Sequence, residues 1–132
     1  MNTVDNALYS TLAAGTALIT ALGGTAIYWT VADQGASFPY CVFFQSTGRD
    51  ENSSPRRARR LIYTVKGVTT DPDTAGDIDD GIDAALHDKA LTITGWGNYW
   101  MMRENDIAYV EQTSAGVTVF HRGAQYGIRI AE

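Results

Sequence analysis

Seven side chains in this sequence have the types and spacing for joint chemistry. Arg56, Arg57, Arg59 and Arg60 stand in SPRRARRLIYTVK, and Asp71, Asp73 and Asp77 open the run DPDTAGDIDDGID. Four of the ten basic residues thus fall within five positions of a chain whose formal charge is -5. A guanidinium is a planar fork of donors that suits carboxylates or phosphates, and four in a row repel one another unless something acidic meets them. Seven aspartates between positions 71 and 88 supply the opposite sign in the same chain. These seven residues are the candidate partner-binding set. The bland reading of such a run is a solvated loop that carries charge.

Other chemistry fails on spacing. DPDTAGDIDDGID begins like a calcium loop, but its fifth position is Ala75 and its twelfth is Ile82, where a bidentate glutamate is needed. His87 and His121 are the only histidines, and neither stands in an HxH, HExxH or HxxxH arrangement. With one distant cysteine, no zinc ligand set is spelled out, so no metal is assigned. No GxSxG elbow, GxxxxGK[ST] loop or strand-linked GxGxxG occurs, and the GWG at 95–97 lacks the third glycine. Nothing argues for catalysis or a cofactor. Trp29, Trp96 and Trp100, with Tyr28 and Tyr99, have the surfaces to stack bases. No basic residue interleaves with them in sequence, so they read as core or subunit-interface anchors.

Composition sets the frame for these groups. A chain of 132 residues with 45% hydrophobic and 19% charged residues makes one folded domain, 1–132. A pI near 4.8 argues against a general nucleic-acid binder. Cys41 is alone, in an apolar run, and reads as a buried inert thiol in a reducing compartment. No charge occurs between Asp5 and Asp33, yet glycine, serine, threonine and asparagine make that span too polar to cross a membrane. The start, MNTVDNALYS, lacks a basic n-region and reads as no secretory signal, so the expectation is a soluble, unprocessed chain.

The elements that must position the charged groups follow from periodicity. Val4, Leu8, Leu12, Gly15, Ile19 and Leu22, with Leu18 beside them, predict one amphipathic helix capped by Thr3 and stopped by Gly23. AIYWTVA and YCVFFQST predict two strands joined by a loop. A polar hairpin loop at about 45–58 then leads into LIYTVKGVT, where Leu61, Tyr63 and Val65 share one side. Ile78, Ile82, Ala85 and Leu86 predict a second, shorter helix with its acids crowded at the positive N-terminal end. The remainder reads as several strands, broken at 95–97, 104–106 and 114–116. The expected fold is α+β, a mostly antiparallel sheet covered by two helices.

The helix ending in LGG, then IYWTVADQGASFPYCVFF, a polar hairpin loop, LIYTVKG and IDDGIDAALHDKALTITGW resemble the tail-completion, or tail-terminator, proteins of tailed bacteriophages. The passage at 32–40 departs from that family's pattern, with Asp33–Gln34–Gly35 where a proline is expected. The resemblance implies a structural virion protein with no enzymatic activity. It implies a homo-hexameric ring at the head-proximal end of the tail, in the neck, between the tail tube protein and a head-completion or stopper protein. It also implies assembly in the host cytoplasm and a lumen through which DNA passes without being gripped, which an acidic protein suits. A phage-like gene transfer agent would use the same part. The alternative reading is a small nucleic-acid-binding domain that uses the arginine cluster and the tryptophans. A third is a stand-alone bacterial protein of unknown ligand.

Overall fold

The computed structural model describes residues 1–132 as three helices on one face of a five-stranded sheet. The helices are α1 (Asn2–Ala13), α2 (Thr16–Leu22) and α3 (Pro72–Leu86). The strands are β1 (Ile27–Trp29), β2 (Tyr40–Asp50), β3 (Ala58–Thr69), β4 (Gly97–Gln112) and β5 (Thr118–Ala131), in the order β1-β2-β3-β5-β4. All neighbours pair antiparallel except β1 with β2. This is the expected α+β class.

The alternation in β3 does what period two requires: Leu61, Tyr63 and Val65 are wholly buried under the helices. Their β5 partners Ile128, Tyr126 and Ala124 point the same way, and Met101 of β4 extends the row. Val4, Leu8 and Leu12 of α1, Leu18 and Leu22 of α2, and Ile78, Ile82 and Leu86 of α3 close the core from above. No helix lies on the other face, and no helix is long and apolar enough to cross a membrane.

Several expectations are corrected. The first helix is two, because the chain breaks at Ala14–Gly15, with Gly15 extended as the N-cap of α2. The break re-phases the stripe so that Leu18 and Leu22 reach the core while Ile19 is only half-buried. Thr3 lies inside α1 and caps nothing, whereas Gly23 ends α2 at φ 73 as expected. The acid-rich helix is consequently the longest of the three, not the shorter one. Polar residues 45–50 belong to β2, so the hairpin connection narrows to 51–57. Cross-strand pairing resumes beyond a bulge between Gln45 and Thr47 and holds that polar arm in the sheet, since Arg49 faces Arg60 and Asp50 faces Arg59. The expected break at 104–106 is a bulge inside one long strand, between Arg103 and Asn105.

Cys41 is fully buried, and burial pushes its thiol up to about 12. Burial, then the hydrogen bonds to Asp5 and Asp83, also raises the hydroxyls of Tyr63 and Tyr126. Each group binds its proton more tightly folded than unfolded, so its contribution is complete below the unfolded pKa and is lost as pH rises toward the folded one. Stability should therefore fall above about pH 9, by about 1.4 kcal/mol per pH unit for each such group. Urea melts at pH 8 and pH 10.5 would show this, with a smaller drop in Cys41→Ala. A flat profile would mean that these groups titrate in place.

Candidate partner-binding site

The seven candidate residues lie at opposite ends of β3. The strand carries Arg59 and Arg60 at its start and leads through Thr69 into the α3 cap at Asp71. At a rise of about 3.3 Å per residue, twelve residues separate the two groups by about 36 Å. The arginines and aspartates of one copy therefore do not meet.

At the arginine end the register adds more guanidiniums. Arg49, Arg60 and Arg129 sit directly across from one another on β2, β3 and β5. Like charges at such spacing need acids and ring faces between them. Arg60 pairs with Glu104 and lies over the Trp100 ring at 5.7 Å. The Nε of Arg59 is 3.1 Å from Asp50 Oδ1, a charge contact without hydrogen-bond alignment. Glu51 serves two arginines, with Arg49 at 3.2 Å and Arg129 at 3.5 Å, and Arg129 also lies over Tyr99 at 5.8 Å. Arg57 lies over Trp96 at 6.0 Å, and Arg56 reaches only the main-chain oxygen of Glu132 at 3.5 Å.

The four clustered arginines thus divide. Arg59 and Arg60 are half-buried and hold the subunit's own acids, while Arg56 and Arg57 are exposed and pair with no side-chain carboxylate. None of the tryptophans is fully buried, though Trp96 packs against the edge of the core. Trp29 is exposed, and Trp96 and Trp100 are half-buried beneath arginines that lie far from them in sequence. Cation–π adjacency of this kind holds a guanidinium in place with its donor edge turned outward.

The acidic end divides too. Asp71 caps α3, accepting from the Thr74 hydroxyl at 2.7 Å and from the Asp73 amide at 3.3 Å, and these bonds hold its carboxyl below the usual range. Asp79 receives both terminal nitrogens of Arg103, at 2.9 and 3.1 Å, and Asp83 lies 3.6 Å from the same guanidinium. Asp106 completes the clamp at 2.9 Å. Hydrogen bonding to Asp79, against a smaller effect of burial, raises Arg103 further above its ordinary value. Asp73, Asp77 and Asp80 are exposed and outside every ion pair. Asp77 and Asp80 edge a groove between α2 and α3 whose other walls are small, among them Ala17, Ala21 and Gly81.

Both histidines have hydrogen-bond partners. His87 Nδ1 accepts from the Arg103 amide at 3.2 Å, and His121 is buried with Nε2 2.5 Å from Glu111. No three of histidine, cysteine, aspartate and glutamate gather as a metal would require. Sequence reasoning missed Arg103, because its partners Asp79 and Asp83 sit on α3, some twenty residues before it. It missed the aromatic supports for the same reason of register.

The model of a known family, the tail completion protein gp17, matches residues 6–124. The chain belongs to that tail completion family. It is accordingly a structural tail protein of a phage-type virion. Among solved structures, a chain from the virion of a native gene transfer agent particle has the same fold. It superposes with a TM-score of 0.77 at 16% identity, over 95% of this chain and 92% of that one. No curated protein matches the sequence significantly.

Proposed function

We propose that this tail completion protein is a subunit of a sixfold ring that terminates the tail tube and joins tail to head. Family membership over 6–124 carries the reading. The tail tube protein and a head-completion protein are its neighbours in the virion neck, DNA passes through its lumen ungripped, and assembly takes place in the host cytoplasm. Electron microscopy of assembled tails tests it. Sixfold or threefold density of this chain at the head-proximal end is expected, and a single copy or another location would overturn the reading.

In that ring, Arg56 and Arg57 bind carboxylates of a neighbouring subunit or an adjoining ring, and Asp73 and Asp77 are acceptors of the same kind. Arg59 and Arg60 hold the loop in shape, and Asp71 holds the start of α3. An exposed pair is worth about 0–1 kcal/mol, so single substitutions do little. Arg56→Glu with Arg57→Glu should change the stability of the isolated chain by no more than about 0.5 kcal/mol. The same double change should lower the yield of joined particles by about tenfold, equivalent to about 1.4 kcal/mol of lost association. Normal yield would leave the cluster a solvated loop.

One observation favours the nucleic-acid alternative, namely the stacking of Arg57 and Arg60 on tryptophans. Glu51 and Glu104 sit among those arginines and would repel phosphate. Weak, salt-insensitive retention of DNA by the purified protein is expected, whereas steep salt dependence would revive the alternative.

A further inference from the structure

The exposed large apolar side chains are not scattered. Four of them, Tyr9, Trp29, Val31 and Phe38, lie on α1, β1 and the loop after β1. The other five, Tyr99, Met102, Tyr109, Val110 and Val117, lie on β4 and the turn that follows it. Strands β1 and β4 are the two edges of the sheet. Every such residue therefore belongs to one edge or the other, and none lies on β2, β3, α2 or α3. Concentrated exposed apolar surface marks a contact site, whereas single scattered residues do not.

The backbone at the two edges agrees with the side chains. The first half of β4 is closed along its outer side, where the Asp88 amide donates to Met101 at 2.9 Å and His87 takes the Arg103 amide. From residue 104 to 112 the outer side of β4 has no main-chain partner, and there Tyr109 and Val110 stand 45% and 57% exposed. An uncapped edge of that length is a template for another chain. On the far side, Trp29 at 56% exposure borders a groove of about 390 Å³ lined by Tyr9, Trp29 and Phe43 with Asn2, Asp5 and Asn6, and Val31, two residues further on, is 71% exposed. β1 is only three residues long, and no strand lies outside it.

We infer that in the ring one copy's β4 edge and hairpin tip, 105–117, seat against the β1-edge groove of the next copy. This rests on the ring reading above and deepens it. A second copy is the fitting occupant because a ring needs two different, mutually fitting patches on opposite flanks of one chain. Two apolar edges on opposite sides of one sheet meet that requirement. Few charges stand on either flank, in keeping with the core of an interface. Asp106 on the arm lies against Arg103, Glu111 against the His121 ring, Asp5 in the groove wall takes the Tyr63 hydroxyl at 2.5 Å, and Asp33 in the loop after β1 is exposed. The charged ends, which run along the strands and not across them, then remain for the adjoining rings.

Cysteine pairs separate this inference from the ring itself. The native Cys41 is buried and will not interfere. Particles assembled with Val110→Cys and Val31→Cys in one chain, mildly oxidised, should give a ladder of covalent multimers on denaturing gels. Either substitution alone should give none. A dimer from Val110→Cys alone would mean that β4 edges pair with each other, which overturns the inference. A ring seen by microscopy without a ladder would also overturn it and leave the ring reading standing. Tails with no ring of this chain would end both.

Discussion

Arg103→Met should lower the stability of the isolated chain by about 3 kcal/mol, the largest effect expected at any charged position. Breaking one partner of a buried ion pair costs about 3–5 kcal/mol because the other charge is left without compensation. Here that partner is Asp79 of α3, only 7% exposed, whose other cation, Arg122, is no nearer than 4.0 Å. The Arg103 side chain is 23% exposed, so water screens part of the interaction and the lower end of the range applies. Asp83 and Asp106 lose their shared cation as well. Adding Asp79→Asn to Arg103→Met should recover most of the loss, since no carboxylate then lies buried unpaired. Urea unfolding of the two variants measures this, and a single-variant cost below about 1 kcal/mol would show that solvent already screens the clamp.

Gly81→Leu should cost about 3 kcal/mol, at the upper end of what overpacking usually does. A Cβ at Gly81 would lie 2.7 Å from the Leu18 Cα and 2.8 Å from its nitrogen. Those are backbone atoms of α2 and cannot rotate away, so the whole helix must shift. Gly76, five residues earlier in the same α3, makes the contrast. Its Cβ would meet only the tip of the Arg122 side chain, at 3.2 Å. Gly76→Ala should therefore be neutral or stabilising by up to about 1 kcal/mol, the helix-propensity gain. Opposite signs at the two glycines are the expected thermal-melt result. Equal tolerance would show that α2 docks loosely on α3.

These glycines illustrate what was legible in the sequence. Helix α3 was readable from Ile78, Ile82 and Leu86, because that period is local, although its length and its cap at Asp71 were not read. The α2 junction was not, since a run of small residues looks continuous until Leu18 and Leu22 compete with Ile19 for the core. The arginine cluster was visible as composition, yet its division into held and free members was hidden. That division depends on β5 bringing Arg129, and β4 bringing Trp100 and Glu104, beside β3, and only pairing register contains it. Residues 45–50 looked like part of the loop because polarity resembles a turn wherever a strand leaves the core.

The length of β3 has a consequence for how such a part is fitted. Its two ends carry opposite sign about 36 Å apart, while physiological salt screens charge beyond about 8 Å. From a distance the molecule feels nearly isotropic, and no long-range torque turns it the right way up. In the ring proposed above, orientation is therefore tested at touch, where an inverted copy sets arginine against arginine or aspartate against aspartate.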